Sequence, residues 1–397
     1  MATTFKGSFT QQEAIPDTAI EAATDVLKSG RLHRYNLSPG EAGEVALLEE
    51  EYAAWQGRRY CLALASGGQA IQIALRAAGV VPGTPVLTNA FTLAPVPGAV
   101  AAVGGKPVLV EIDDELRIDM DDLAAKAEAS GARFLLLSLM RGHLCDMDRL
   151  MRVADAHGLT VIEDCAHTMG ALWAGKRSGN FGIAGCFSTQ TYKHMNSGEG
   201  GLLASDDPEF AARAVMLSGS YMLYERNGAA PEPAYFADAR LDTPNMSARM
   251  DHLRAAILRP QLPLLEENIT RWNERYDAVA RALGACQAIR LPHRPDQESM
   301  VGSSIQFRVP GLAPEHCRRL VADAAGRGVE LKWFGAVEPV GFTSAHPSWR
   351  YVDAQALPET DRIMADLFDM RLPLTFSVAD CELIGGIIAD VAGETAA

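Results

Sequence analysis

Between residues 60 and 205, short apolar runs alternate with stretches in which apolar residues recur at helical spacing. Runs rich in Val, Leu, Ile and Phe favour buried strands, and strands that alternate with helices are typical of βαβ units in a parallel sheet. Helices are predicted at 69–78 and at 147–157, the second ending at the His157-Gly158 pair. Seven strands are predicted, at 60–66, 84–89, 106–112, 133–140, 159–164, 185–189 and 201–205.

The second half of the chain has a different organisation. A helical pattern runs from 249 to 283, and Pro260 and Pro263 are predicted to kink it. We expect an N-terminal arm and large domain over residues 1–250, and a joining helix and small C-terminal domain over 251–397. The small domain is predicted to be α+β, with strands at 303–309 and 328–334 and helices near 313–326 and 379–392.

Composition and charge exclude several classes of protein. Of the 397 residues 48% are apolar and 22% are charged, which suits a globular protein with two cores. The net charge of −14 argues against nucleic-acid binding, which needs a basic surface. The longest apolar stretch, 89–105, contains two prolines and three glycines, so it predicts a turn and a buried helix rather than a membrane span. No leader pattern is present at the start, so a cytoplasmic location is expected.

Cysteine and histidine spacing predicts no metal site. The seven cysteines are scattered without a C-x-x-C pair, and the nine histidines form no H-E-x-x-H motif. Neither a disulfide framework nor a zinc centre is indicated.

Candidate binding residues fall at the carboxyl ends of the predicted strands, where ligands collect in a parallel sheet. Ser66-Gly67-Gly68 opens a helix, and the free N–H groups there can bind a phosphate. A glycine turn that only permits tight strand-to-helix packing is equally favoured. The other glycine cluster, 179–185, lacks the G-x-G-x-x-G spacing and precedes a strand, so it does not support a dinucleotide site.

Two charged residues are the candidates for chemistry. Asp164 ends a predicted strand, where its carboxylate either caps the following turn or faces a ligand cation, while Glu163 should point to the opposite side. Lys193 lies before a glycine-rich turn; a desolvated amine there can form a Schiff base with an aldehyde. The alternative for Lys193 is an ordinary surface loop lysine.

The segments "VIEDCAHTMGA" (161–171), "FSTQTYK" (187–193) and "GEGG" (198–201) resemble the DegT/DnrJ/StrS family of pyridoxal-phosphate-dependent, fold type I aminotransferases. The resemblance extends over nearly the full chain, from "VLKSG" near the start to "MRLPLTFSVAD" near the end. It implies an α/β fold with αβα layering around a large, mostly parallel sheet, followed by a smaller α+β domain.

The resemblance also implies roles for individual residues. Lys193 would hold the cofactor as an internal aldimine and move the proton, Asp164 would pair with the pyridine nitrogen, and His167 would contact the phenolic oxygen. Phosphate contacts would come from Gly67, Gly68 and Ser188.

Three positions depart from the family pattern. Gly68 stands where a threonine is usual, and Leu93 stands where an aromatic residue usually stacks on the cofactor ring; Phe91 is the alternative, although it should face the other way. The usual asparagine that reaches the neighbouring subunit's phosphate is Ser247 here, with Asn245 two residues earlier. Either could make that contact.

Substrate contacts are assigned with alternatives. His194 either lines the pocket or is simply packed. Arg249 either holds a donor carboxylate or caps the joining helix with Asp251. Arg31, with His33 and Arg34, either meets an anionic substrate or forms a solvated charge cluster, the latter being favoured.

We therefore expect a homodimeric, pyridoxal-phosphate-dependent aminotransferase with sites at the subunit interface. It would move an amino group from an amino-acid donor, glutamate or glutamine, to a ketone of a keto sugar, nucleotide-linked sugar or cyclitol. The alternatives are a pyridoxal-phosphate dehydratase or lyase on the same scaffold, and a cofactor-free binding or regulatory protein that retains the fold.

Overall fold

A computed structural model describes residues 3–38 and 40–396 of the chain. The helices are α1 (Asp17–Ser29), α2 (Glu44–Gln56), α3 (Gly67–Ala78), α4 (Pro95–Ala102), α5 (Met120–Ser130), α6 (Met147–His157), α7 (Pro208–Ser218), α8 (Phe236–Asp242), α9 (His252–Leu258), α10 (Leu265–Gly284), α11 (Pro314–Gly326), α12 (Pro358–Met364) and α13 (Val378–Ala396). The strands are β1 (Tyr60–Leu64), β2 (Pro85–Asn89), β3 (Lys106–Val110), β4 (Phe134–Ser138), β5 (Thr160–Asp164), β6 (Leu172–Trp173), β7 (Lys176–Arg177), β8 (Ala184–Ser188), β9 (Gly201–Ser205), β10 (Glu298–Ser299), β11 (Ser304–Arg308), β12 (Lys332–Trp333) and β13 (Leu367–Arg371).

A seven-stranded sheet in the order β1-β9-β8-β5-β4-β2-β3 forms the centre of the large domain. The pairs from β3 through β8 are parallel, and β9 runs antiparallel to both β8 and β1. Six strands therefore share one direction, and their carboxyl ends meet at one edge. All seven strands predicted from the apolar runs are confirmed, with ends that shift by a few residues.

Helices cover both faces of this sheet because consecutive strand residues point to opposite sides and both sets are apolar. On one face, Leu135 and Val161 pack with residues of α2, α5 and α6. On the other, Leu136 and Ile162 pack with residues of α3, α4 and α7. The expected αβα layering is confirmed, and the proline-broken apolar stretch forms α4 as predicted.

The joining helix is interrupted at its prolines, as predicted. Helix α9 ends at Leu258, a 3₁₀ segment spans Arg259–Leu264, and α10 continues from Leu265. Pro263 lies inside the 3₁₀ segment, where its missing N–H removes one helical hydrogen bond. Trp272 packs in the core of the large domain and Tyr276 in that of the small domain, so α10 contributes to both. The division at residues 250 and 251 stays a prediction.

The small domain is built on a three-stranded antiparallel sheet in the order β11-β13-β12. The strand predicted at 328–334 is reduced to β12, and β13 was not predicted. Phe307 and Phe368 stack in the apolar core on one face of the sheet. Asp369 and Arg371, two residues apart on β13, project from the other face together with Lys332.

The N-terminal arm joins the small-domain core. Phe5 and Phe9 are buried there, each in edge-to-face contact with Phe376 at 4.9 Å between ring centroids. In the described part of the chain, no helix combines the length and apolarity that crossing a membrane requires.

Candidate active site

A hydrogen-bonded network of polar side chains links the ends of β2, β4 and β5. The Asn89 side chain donates to the Ser138 carbonyl at 3.0 Å and accepts from the Ser138 N–H at 2.9 Å. The Ser138 hydroxyl in turn donates to Oδ2 of Asp164 at 3.4 Å and lies 2.7 Å from the Thr92 hydroxyl. This network fixes the Asp164 carboxylate at the edge of the sheet where the parallel strands end.

Asp164 and Glu163 point to opposite sides of β5, as the side-chain period predicts. Glu163 is fully buried and accepts hydrogen bonds from the N–H groups of Gly179, Phe181 and Gly182 at 2.7 to 2.8 Å. Asp164 accepts from the Ala166 N–H at 3.2 Å, so it also caps the following turn.

Burial raises the pKa of the Asp164 carboxyl, although the hydrogen bond from Ala166 and the charge of Lys193 oppose this shift. In the part of the chain that the structure describes, this carboxylate has no ion-pair partner. A buried carboxylate in that condition either takes up a proton or is stabilised by a nearby cation.

The Lys193 amine is the central basic group. Its Nζ lies 3.0 Å from Nε2 of His167. Burial of the amine and then the charge of Arg141 lower the pKa of Lys193 to about 7, while Asp164 raises it. At neutral pH a large fraction of the amine is unprotonated and nucleophilic. The surface-loop alternative does not fit an amine in this environment.

His167 stays neutral beside it. Burial, followed by the positive charge of Lys193, holds the pKa of His167 well below its ordinary value. A neutral imidazole can accept a hydrogen bond from the amine at one nitrogen and donate from the other.

The glycine turn lies directly against β8. A Cβ on Gly67 would lie 2.8 Å from Cβ of Ser188, so the close approach of helix and strand requires glycine there. Gly68 is different, because a Cβ there would have only the Ser66 hydroxyl nearby, at 3.9 Å. Gly67 therefore permits tight packing of the helix on the strand, as the alternative predicts. Phosphate binding by the N–H groups of both glycines at the start of α3 stays a prediction.

The two candidates for ring contact differ in burial. Phe91 is fully buried and meets Phe334 edge to face at 5.2 Å between centroids. Leu93 is half-buried beside the same cluster. Phe91 is therefore part of the core, although the segment that follows β2 bends and is not extended.

Two of the three predicted substrate residues are engaged elsewhere, whereas His194 also lines a cavity beside Lys193. His194 is buried, its Nε2 lies 3.0 Å from the Ser303 hydroxyl, and burial lowers its pKa to about 3. Arg249 donates to the Gly219 carbonyl at 2.7 Å. Arg31 forms an exposed pair with Glu41.

Two of the alternatives for these residues need correction. Asp251 caps α9 alone, through the Arg254 N–H at 2.9 Å, so Arg249 is not the cap. Arg34 does not belong to a solvated cluster, because it is buried with two hydrogen bonds to Glu49 at 3.0 and 2.9 Å. A buried guanidinium requires such a partner.

Asn245 and Ser247 lie together on the surface. The Asn245 side-chain oxygen accepts from the Ser247 N–H at 2.8 Å and from its hydroxyl at 3.2 Å. Ser247 has a φ of 51°, a left-handed conformation that this turn stabilises. Both side chains are exposed.

Sequence reasoning missed a group of cations near Lys193, namely Arg141, Lys332 and Arg371. Arg141 follows β4 at the same sheet edge as Asp164, and that position was a signal for it. The other two lie on strands of the small domain, and one of those strands was not predicted. No pattern in a single sequence predicts that these two residues lie near Lys193.

A cavity of about 190 Å³ opens beside Lys193 and His194. Residues 12–16 of the N-terminal arm close one side of it, and Asn268 and Trp272 of α10 line the other. The arm therefore borders the site.

The sequence and the fold have parallels among known proteins. The model of the DegT/DnrJ/EryC1/StrS aminotransferase family matches residues 13–387. The chain belongs to this family. It is an aminotransferase, and the predicted fold class is confirmed.

Relatives of this aminotransferase act on several substrates. It is 31% identical over 334 residues to the 3-amino-5-hydroxybenzoate synthase of Amycolatopsis mediterranei (strain S699), a match that covers 81% of this chain and 82% of that one. It is 30% identical over 301 residues to the L-glutamine:scyllo-inosose aminotransferase of Streptomyces griseus, covering 74% and 66% of the two chains.

Solved structures agree with this assignment. The aminotransferase matches the crystal structure of a 3-amino-5-hydroxybenzoic acid synthase with a TM-score of 0.84, over 99% of this chain and 100% of that one, at 26% identity. It matches S. venezuelae DesV in complex with a ketimine intermediate with a TM-score of 0.78, over 95% and 94%, at 26% identity.

Proposed function

We propose that this aminotransferase uses pyridoxal 5′-phosphate, bound through a Schiff base to Lys193. The observation that carries the proposal is the pairing of two groups at one sheet edge: a buried Asp164 carboxylate without an ion-pair partner in the described residues, and a Lys193 amine with a pKa of about 7. A protonated pyridine nitrogen would supply the missing cation at Asp164.

The residues present fit the cofactor at each of its functional groups. Lys193 would hold its aldehyde carbon, Asp164 its ring nitrogen and His167 its phenolic oxygen. The start of α3 at Gly67 and Gly68, with the Ser188 hydroxyl, would hold its phosphate. When bound, pyridoxal phosphate supplies an electron sink that stabilises negative charge on the substrate carbon.

The chain's own groups would handle the proton. Once free, the Lys193 amine would be a base with a pKa close to neutral pH. It would then carry the proton away from the substrate carbon. His167, 3.0 Å from Nζ, would orient that amine. The Ser138 hydroxyl would keep Asp164 in place through its hydrogen bond.

The relatives support a substrate class. We propose an amino-acid donor, glutamate or glutamine, and a keto acceptor that is a sugar, a nucleotide-linked sugar or a cyclitol. The relative from S. griseus acts on scyllo-inosose, a cyclitol ketone, with L-glutamine as its partner substrate. A relative from Streptomyces venezuelae, 34% identical over 278 residues, is a transaminase of a dTDP-linked amino sugar.

We propose further that the protein works in the cytoplasm as a homodimer with shared sites. Asn245 and Ser247 are exposed and form a fixed turn, so either could reach the phosphate site of a partner subunit. Contact through Leu93 with the cofactor ring is also a proposal, supported by its half-buried position.

A visible absorption spectrum tests the proposal. Purified protein with added pyridoxal phosphate should develop a band that excess glutamate bleaches and that one acceptor from a panel of keto sugars and cyclitols restores. Lys193→Ala should lack the band while retaining its far-ultraviolet circular dichroism. Water elimination from the acceptor without amino transfer would favour the dehydratase or lyase, and failure to take up cofactor would favour a binding protein.

A further inference from the structure

Arg141 is held at the site by an unusual arrangement. It is buried, and its φ of 55° places a non-glycine residue in the left-handed region. Its guanidinium pairs with Asp369 at 2.7 Å, yet its Nε has no hydrogen-bond partner. An unpaired buried donor of this kind calls for an explanation, such as an acceptor that a ligand supplies.

Two further cations project from the small-domain sheet beside it. Lys332 lies opposite Asp369 in the strand pairing, and its Nζ is 3.5 Å from the same carboxylate. Arg371 follows on the same face of β13 and, among residues 3–38 and 40–396, has no ion-pair partner. Its guanidinium instead stacks 3.8 Å above the ring of Tyr192.

These three cations face the catalytic amine. Tyr192 adjoins Lys193 in the chain, so the stacked Arg371 lies next to it. The charges of Arg141, Lys332 and Arg371 all lower the pKa of Lys193, which places them within electrostatic reach of Nζ. Asp369 is the carboxylate that Arg141 and Lys332 share, and it also accepts from Gln306 at 2.8 Å. The cluster therefore carries more positive than negative charge.

We propose that Arg141, Lys332 and Arg371 form an anion subsite that binds a carboxylate on the keto acceptor. The inference rests on the proposed function and narrows its substrate class. The amino-acid donor brings its own carboxylate to these cations, whereas a neutral keto acceptor would leave them unpaired once it displaces water. Planar guanidinium groups suit a carboxylate through paired N–H donors. The acceptor is therefore a polyhydroxylated ketone that also bears an acid group.

A matched pair of unreactive polyols tests the subsite directly. Quinate is a carboxylated cyclitol without a ketone, and scyllo-inositol is a neutral one. Isothermal titration calorimetry of the protein, with and without pyridoxal phosphate, should show quinate binding at least about tenfold more tightly than scyllo-inositol. Equal affinities, or no binding of quinate, would overturn the proposal.

Single substitutions show which cations are responsible for quinate binding. Arg371→Met removes a cation without leaving a carboxylate unpaired, so it should fold and should weaken quinate binding about tenfold or more. Lys332→Met should do the same, because Asp369 keeps its contact with Arg141. Arg319→Met is the control, since this exposed arginine pairs within the described residues only with Asp323 on α11. Unchanged quinate affinity in both Arg371→Met and Lys332→Met would contradict the assignment.

Activity measurements distinguish the failure of this proposal from the failure of the proposed aminotransferase function. If glutamate bleaches the cofactor band, transamination holds, and a carboxylated ring ketone such as 3-dehydroquinate should then restore the band faster than scyllo-inosose. Faster restoration by scyllo-inosose would overturn the subsite and leave the aminotransferase intact. If the protein takes up no cofactor, the proposed function fails, while calorimetry with quinate still tests the subsite.

Discussion

At the scale of single residues, the Lys193 amine controls when the site can react. Its pKa of about 7 lies below the ordinary lysine value, so the reactive neutral form gains population as the pH rises to 7 and is dominant above it. We predict that the rate of pyridoxal phosphate capture rises about tenfold per pH unit below that point and levels off above it. Stopped-flow absorbance at a series of pH values measures this.

The neighbouring cations supply a check on this profile. Lys332 lowers the pKa of Lys193, so Lys332→Met should move the midpoint of the profile to higher pH. A midpoint that stays in place would show that the charge of Lys332 does not contribute to the reactivity of the amine.

Asp164 is expected to matter for turnover more than for retention of the cofactor. In Asp164→Asn the amide keeps the shape but loses the charge that would hold the ring nitrogen protonated. We predict that the cofactor band persists and that kcat falls about a hundredfold or more. Unchanged kcat would mean that another carboxylate has this role.

Gly67 and Gly68 form a matched pair for the phosphate prediction. Gly67→Ala would force its Cβ against Ser188 at 2.8 Å, so cofactor affinity should fall about tenfold. Gly68→Thr has open space and should bind the cofactor at least as tightly as the native chain, since it restores the hydroxyl usual in the family. Spectroscopic titration gives both affinities; equal losses would contradict the distinction.

At the scale of elements, the sequence predicted the strands that are covered by helices on both faces. Strands β2, β4 and β5 are buried on both faces, and each contains at least two consecutive apolar residues without polar alternation. Strand β13 was missed because one of its faces is polar: Asp369 and Arg371 alternate with Phe368 and Met370. That alternation is itself a strand pattern, but no strand was predicted there.

The candidate-site residues that the sequence indicated are those that belong to short motifs in the chain. Asp164, His167 and Lys193 belong to motifs near the ends of neighbouring strands. Arg371 reaches the same place only because the small-domain sheet turns its polar face toward the large domain, and tertiary packing of that kind has no signature in a single sequence. The buried pair of Arg34 with Glu49 was missed for the same reason.

Substitution of Glu163 should have a different effect from substitution of its neighbour Asp164. It fixes the segment 179–182 to β5 through three backbone N–H groups. In Glu163→Gln the amide can orient only one oxygen toward these donors, so the free energy of unfolding should fall by about 2 kcal/mol. Urea denaturation of both variants measures this; a larger stability loss in Asp164→Asn would contradict it.

At the scale of the whole molecule, the shared-site proposal gives a quantitative expectation. In a mixed dimer of Lys193→Ala with an Asn245→Ala/Ser247→Ala double variant, one of the two sites would retain all its groups. Equal mixing should therefore restore about a quarter of native activity from two inactive parents. Native mass spectrometry must show that mixed dimers form, and their inactivity would indicate self-contained sites.

The alternation of side chains along β5 also restricts how the protein can evolve. Glu163 and Asp164 are consecutive, yet one fixes a loop behind the sheet and the other accepts a hydrogen bond from Ser138 at the candidate site. Insertion or deletion of one residue in this strand would exchange the two carboxylates between the faces and abolish both functions together. Substitutions can accumulate in β5, whereas its length is fixed in any lineage that keeps the activity.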